Sequence, residues 1–251
     1  MVWAEGIMAK QQKVMGELVY GIHPIIELLK AKNRKLITIY TTRPEPKAWK
    51  QIEKILPKYP VRVQIVTREA LCNIAKTTDH QGVVAFAQPF PFRKKMFDPA
   101  KQKAVVMLDG IQDVHNLGAI LRTVYCAGFN GVIIPKKESA PITAATLKAS
   151  AGLAEHVPVY IAASPQAAVH ELKKAGYEIY LTVFGGKDAT NVEYKLPLCV
   201  VIGNEAVGVS KEILKSGVPI TLPQKTSDIS YNASVAAGIT LFWIANQQKI
   251  L

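Results

Sequence analysis

The stretch Ala104-Val-Val-Met-Leu-Asp-Gly-Ile-Gln-Asp-Val-His-Asn-Leu-Gly-Ala-Ile-Leu-Arg122 passes from a short apolar run through a polar turn into a segment with helical spacing of apolar residues. A strand is predicted from Ala104 to Leu108 and a helix from about Asn116. The alternation repeats downstream. Strands are predicted at Gly131 to Ile134, Val157 to Ile161, Ile179 to Phe184, Leu198 to Ile202 and Pro219 to Leu222. Helices are predicted from about Ile142 into Ser150, from Pro165 to Ala175, from Ser210 to Lys215, and from about Asn232 onward. Short, almost wholly apolar strands between helices specify an α/β fold, because crossover helices cover both faces of a parallel sheet and leave no strand face polar.

Upstream the pattern changes. From Gly16 to about Phe86 the spacing predicts a smaller α/β unit, with a helix around His23 to Lys30, a strand from Leu36 to Tyr40, a helix around Ala48 to Leu56, and strands near Val61 to Val66 and Gly82 to Ala87. Between the two lies Pro89-Phe-Pro-Phe-Arg-Lys-Lys95 and the residues to Lys103, where prolines break the periodicity and positive charge accumulates. The expected organisation is a tail over residues 1–15, a first domain over 16–88, a basic linker over 89–103 and a second domain over 104–251. No internal repeat or low-complexity tract interrupts it.

Charge separates the two parts as clearly as pattern does. The 251 residues carry a net charge of +12. Residues 1–103 hold 19 Lys and Arg against 8 Asp and Glu, and residues 104–251 hold 12 against 11. An excess confined to one part favours a polyanionic partner such as nucleic acid over a generally solvated surface. The three cysteines, Cys72, Cys126 and Cys199, are far apart and form no C-x-x-C pair, so no zinc or redox site is expected. The chain has no apolar run approaching the ~18 residues of a membrane span, and none at its N-terminus suited to a signal peptide; a cytoplasmic protein is expected.

Three polar segments follow predicted strands, where sheets of this kind bind ligands. In the first, Asn116 either caps the helix or points into a cleft, and Arg122 lies six residues on in otherwise apolar company, suited to gripping a phosphate. The second is Gly203-Asn-Glu-Ala-Val-Gly208. A carboxylate stands where the dinucleotide fingerprint has its second glycine, and Glu205 would repel a pyrophosphate but tolerate a cationic or sulfonium ligand; this counts against a nucleotide-dependent oxidoreductase. The third, Thr221 to Gly238, enters a helix rich in small residues, and Ser230, Asn232 and Ser234 are caps and turn formers or site residues. His115, beside the first segment, is expected to be structural.

Taken together, the order and spacing of these segments resemble the three motifs of the SpoU/TrmH family, ribose methyltransferases of the knotted SPOUT class. Motif 1 corresponds to Asn116 and Arg122, motif 2 to Gly203, Glu205 and Gly208, and motif 3 to Asn232, Ser234 and Val235 to Gly238. The resemblance spans residues 104–251, including Lys148-Ala-Ser-Ala-Gly152. Through Gly21-Ile-His-Pro24 and His80-Gln-Gly-Val-Val-Ala85 it extends into an N-terminal RNA-binding domain similar to a small ribosomal protein, found in the branch that methylates guanosine in 23S ribosomal RNA.

The resemblance implies a deep trefoil knot, which physical priors alone would not favour. It also implies S-adenosyl-L-methionine held by Gly203, Asn204, Leu222, Tyr231 and Val235, and a catalytic set of Arg122, Asn116, Glu205, Asn232 and Ser234. Tyr231 departs from the leucine usual in the family. No metal is implied. The implied partners are structured RNA, ribosomal rather than transfer RNA, and a second copy of the chain packed through the last helix, with Phe242 and Trp243. Transfer RNA as the substrate, or an inactive RNA-binding protein, are the competing readings.

Overall fold

The computed structural model describes residues 16–225 and 229–251; the tail expected over residues 1–15 lies outside them. The strands are β1 (Glu17–Tyr20), β2 (Leu36–Thr41), β3 (Arg62–Ile65), β4 (Val83–Ala87), β5 (Ala104–Asp109), β6 (Val132–Pro135), β7 (Val159–Ala162), β8 (Glu178–Asp188), β9 (Leu198–Gly203) and β10 (Val218–Thr221). The helices are α1 (Ile22–Ala31), α2 (Trp49–Lys54), α3 (Arg68–Ala75), α4 (Val114–Cys126), α5 (Ala144–Ala149), α6 (Pro165–Ala175) and α7 (Ala233–Gln247). None is long and apolar enough to cross a membrane.

The chain divides into two compact units that are not continuous in sequence. The first takes residues up to Pro91 together with Ile142–His156; the second takes Phe92–Pro141 and Val157–Leu251.

In the first unit a four-stranded sheet has the order β1-β4-β2-β3, with β2 and β3 parallel and the other pairs antiparallel. Tyr40, Val84 and Phe86 share one face with Leu71 and Ala75 of α3. Strand alternation sends the fully buried Ile39 and Ala85 to the other face, and α1 and α2 pack on each other. Gly21 gives α1 no side-chain cap; instead Gln81 Oε1 accepts the orphan Ile22 N–H at 3.1 Å. The neighbouring His80 is buried, accepts the Gly82 N–H on Nδ1 at 3.0 Å and lies 3.3 Å from Cys72 Sγ. Burial, with Arg68 and Lys148 adding to it against Asp79, lowers its pKa from the usual histidine value. These roles give His80-Gln-Gly82 an architectural purpose.

The returning segment changes the expected domain plan. Residues 142–156, expected within the second domain, fold with the first: α5 lies against β1, and the 3-10 turn Leu153–His156 against α1. The physical reason is a buried charge. Glu155 and Arg34 are 2% and 6% exposed and meet in a two-pronged ion pair, with Nε–Oε2 at 3.1 Å and Nη2–Oε1 at 2.5 Å. Arg34 also donates to Glu17 and to the Gln88 carbonyl, and stacks 5.7 Å from the Phe90 ring centre. Neither ion could be left unpaired in that interior.

In the second unit six strands are all parallel in the order β10-β8-β9-β5-β6-β7. The chain lays down β5, β6 and β7 outward on one side, crosses to β8, then returns β9 into the gap between β8 and β5. The central strands are buried along nearly their whole length, which is why they read as unbroken apolar runs. Residues expected to form a basic linker are largely part of this unit. Phe97 is buried in its core, and Arg93 pairs with the β7 edge and lies 4.4 Å over the Phe97 ring.

Local details depart from the expected elements for identifiable reasons. The helix expected over Ser210 to Lys215 contracts to a 3-10 turn at Lys211–Ile213: Ser210, whose N–H and hydroxyl donate to Asp109 at 2.7 and 2.8 Å, stands before it in non-helical backbone, and the Ser216 N–H turns back to the Ile213 carbonyl. The strand expected to end at Phe184 runs on to Asp188, and its ladder with β10 breaks: Pro219 pairs with Leu181, but Ile220 pairs with Lys187. Residues 182–186 therefore bulge out. The helix α3 and strand β1 are absent from the expected elements; α3 is eight residues long and β1 only four.

Candidate active site

The three polar segments meet in the second unit. The helix α4 starts at Val114, two residues earlier than expected, because Asp113 rather than Asn116 is its cap: Asp113 Oδ1 accepts the His115 N–H at 2.9 Å. That frees the Asn116 side chain. Its Nδ2 donates to Glu205 Oε1 at 2.6 Å, and its Oδ1 accepts from Asn232 Nδ2 at 3.1 Å. Asn232 caps α7, accepting on Oδ1 both the Ser234 N–H at 2.9 Å and the Ser234 hydroxyl at 2.6 Å.

The direction of every bond in this run is fixed by its ends. A backbone N–H can only donate, so Asn232 must turn its oxygen to Ser234 and its amide nitrogen to Asn116. An ionised carboxylate can only accept, so Asn116 must turn its nitrogen to Glu205. All polar hydrogens thus point from Ser234 towards Glu205. Each bond polarises the next.

A cavity of about 440 Å³ adjoins the run at Glu205. Gly203, Asn204, Leu222 and Tyr231 line it, as does the 182–186 bulge through Thr182, Val183 and Phe184. Gly203 is obligatory, since a side chain there would collide with the Gly208–Val209 backbone. Asn204 is the clasp of the turn. Its main chain exchanges hydrogen bonds with Gly208, its Oδ1 accepts from Ala206 and Val207, and its Nδ2 donates to the Gly110 carbonyl at 2.6 Å. Motif 2 is thereby fastened to the turn that follows β5. Tyr231 is partly exposed and reaches the Pro223 carbonyl at 3.5 Å.

Two predicted residues stand apart. Arg122 is exposed on α4 and has no hydrogen-bond or ion-pair partner among the described residues; at six residues from Asn116 it lies roughly 9 Å along the helix and about 120° around it. Val235, predicted to touch the cofactor, does not line the cavity, because its position on α7 turns the side chain outward, 48% exposed.

Two others were missed. Asp109, buried at the end of β5, holds Ser210 and so the far end of the motif 2 loop; the signal was a carboxylate ending an apolar strand. Thr240 lines the cavity with its hydroxyl buried and without a hydrogen-bond partner among the described residues. A lone threonine in an apolar helix gave little warning. Among the described residues no group of three or more His, Cys, Asp or Glu side chains could hold a metal.

Comparison with known proteins identifies the family. A Bacillus subtilis protein assigned to the TrmH family of tRNA/rRNA methyltransferases is 32% identical over 93% of this chain and 96% of its own. An uncharacterised tRNA/rRNA methyltransferase of Synechocystis is 33% identical over 92% of this chain and 63% of its own. In fold, the chain resembles the AdoMet-bound rRNA methyltransferase of Sinorhizobium meliloti, with a TM-score of 0.78 at 24% identity, covering 94% of this chain and 88% of that one. It also resembles the SpoU methyltransferase AviRb of Streptomyces viridochromogenes in complex with AdoMet, with a TM-score of 0.76 at 20% identity over 96% and 93%. Residues 18–93 match the substrate-binding domain of RNA 2'-O ribose methyltransferases. Because residues 103–242, which carry all three polar segments, match the SpoU rRNA methylase family, the chain belongs to that family of S-adenosylmethionine-dependent RNA 2'-O-ribose methyltransferases.

Proposed function

We propose that this chain methylates a ribose 2'-hydroxyl in ribosomal RNA, with 23S RNA as the substrate and the cytoplasm as its place of work. The observation that carries the proposal is the one-way run of hydrogen bonds from Ser234 through Asn232 and Asn116 to Glu205, beside a cavity of nucleoside size. The cavity fits the cofactor in one respect: the orphaned Thr240 hydroxyl, without a hydrogen-bond partner among the described residues, is a buried polar atom that a ligand would satisfy. Gly203, Asn204, Leu222 and Tyr231 would hold it. S-adenosylmethionine, when bound, supplies a methyl group activated by a positively charged sulfur.

The chain's own residues then have to orient the ribose hydroxyl, ease the loss of its proton and hold the adjoining phosphate. The Ser234 hydroxyl spends its hydrogen on Asn232 and keeps its lone pairs, so it accepts a hydrogen bond from the ribose. Glu205 is the anion at the end of the run, and its negative charge, relayed through two amides, makes the Ser234 oxygen a better acceptor; the ribose proton passes to solvent as the methyl group is taken up. The guanidinium of Arg122 is a poor base and a good phosphate ligand.

The return of β9 between two strands already in place supports a chain threaded through itself, as in a trefoil knot. Exposed Ile239, Phe242 and Trp243 on α7 support a homodimer through that helix. The test is incubation of unmodified ribosomal and transfer RNAs with the protein and labelled S-adenosylmethionine, followed by mapping of the methylated nucleotide by mass spectrometry. One 2'-O-methyl group in 23S RNA is expected. Label in transfer RNA alone would overturn the choice of substrate, and no label in either would overturn the proposal.

A further inference from the structure

We propose that the edge of the first unit formed by α2, the 55–61 loop and β3 is the face that grips the sugar-phosphate backbone of the RNA substrate; this rests on the methyltransferase reading above. The cations of the unit fall into two groups. Outside residues 43–76 they are mostly consumed: Arg34 is buried against Glu155 and Glu17, Lys30 pairs with Glu27 at 2.8 Å, and Lys148 donates to the Asp79 carbonyl and lies 3.4 Å from its carboxylate. Residues 43–76 carry 8 Lys and Arg against 3 Asp and Glu. Of these eight, Arg43 is paired with Glu45. Lys50, Lys54, Lys58 and Arg62 are exposed and have no ion-pair partner among the described residues.

They follow one another along one stretch of chain, from α2 through the 55–61 loop into β3. Of the two outer strands, β1 is covered by α5, whereas β3 pairs with β2 alone among the described residues. Lys50 and Lys54 share the outer face of α2, opposite the buried Trp49 and Ile52. Lys58 follows in the loop, and Arg62 opens β3. Between the charges stand exposed Tyr59, Val63 and Ile65, apolar surface suited to sugars and bases. Flexible lysines facing solvent with nothing to neutralise them bind a phosphate backbone by releasing its counterions, independent of sequence.

The test uses the full chain with Lys50→Gln, Lys54→Gln, Lys58→Gln and Arg62→Gln combined, and measures binding of unmodified 23S RNA fragments across a range of KCl concentrations. Removing four phosphate contacts is expected to lower the slope of log affinity against log salt by about three and to weaken binding about hundredfold near physiological salt, with S-adenosylmethionine affinity unchanged by calorimetry. Lys50→Arg, Lys54→Arg and Lys58→Arg together should bind like wild type, and so should Lys30→Gln. An unchanged salt slope in the neutralised protein, while wild type still binds and methylates the RNA, would overturn the proposal, as would equal losses in the charge-preserving variant. Should the quadruple variant fail to fold by thermal melting, Lys54→Glu alone decides by the same slope. Failure of wild type to methylate any RNA would instead strike the methyltransferase reading itself.

Discussion

The motif cluster of the second unit and the β3 edge of the first are both polar and both exposed, yet they treat their side chains in opposite ways. In the cluster, Glu205, Asn116, Asn232 and Ser234 hold one another, so their geometry is set before any ligand arrives. Along the edge, Lys50, Lys54, Lys58 and Arg62 hold nothing among the described residues. Side chains that spend their hydrogen bonds on each other are fitted for chemistry, which rewards fixed positions. Side chains left unpaired are fitted for attraction, which tolerates many poses. Arg122 crosses the division: it belongs to motif 1 by sequence but is exposed and unpaired like the edge cations.

The largest expected effect tests that exception. Arg122→Ala should lower kcat about 1,000-fold, roughly 4 kcal/mol, with RNA affinity changed less than tenfold and cofactor affinity unchanged by calorimetry. Weakened RNA binding at normal kcat would class Arg122 with the edge lysines. Next in size is Glu155→Gln, which removes one partner of a buried pair and should destabilise the first unit by about 3 kcal/mol in denaturant melts. Neutralising Lys54, exposed and unpaired, should cost less than about 0.5 kcal/mol in the same experiment. Equal costs would erase the contrast between paired and unpaired cations. Smaller than the Glu155 effect is Thr240→Val, expected to weaken S-adenosylmethionine about two- to tenfold by calorimetry, since the hydroxyl would lose one hydrogen bond to the ligand. The ligand-free protein should melt no lower, because an unsatisfied buried hydroxyl is itself unfavourable.

Much of this was legible in the sequence where one local rule governed. The apolar strands of the second unit could be read because burial on both faces removes polar residues altogether, and α6 was found at both ends because Ser164, Pro165 and Gly176 mark its cap, first turn and stop. The site residues could be placed at strand ends, and Asn116, Glu205, Asn232 and Ser234 do come together there. What could not be read depends on residues far apart in sequence. Arg34 and Glu155 lie 121 positions apart, and nothing near either reveals that they share a pocket, so the allegiance of residues 142–156 to the first unit stayed hidden. Whether Asn116 caps the helix or points into a cleft could not be decided from sequence, because Asn is a common cap; the structure gives that role to Asp113, three residues earlier. The 182–186 bulge follows from the register of β8 on β10, and register between strands joined by a long excursion leaves no local trace.

The pairing of the first unit with residues 142–156 also bears on how the molecule should be dissected. Cutting at residue 104 would strand Glu155, Ala154 and Leu147, all buried in the intact chain. Point variants in the full protein are the sounder instrument.

The claim that the three motifs act as one unit is tested most directly by a double-mutant cycle in single-turnover methyl transfer, with Asn116→Ala, Ser234→Ala and the two combined at saturating cofactor and RNA. Each single change is expected to slow transfer about 10- to 100-fold, and the combination to be no slower than the worse single change within about threefold, because either break disconnects Ser234 from Glu205. Losses that multiply would mean the two side chains act independently, and the wired cluster would have to be abandoned.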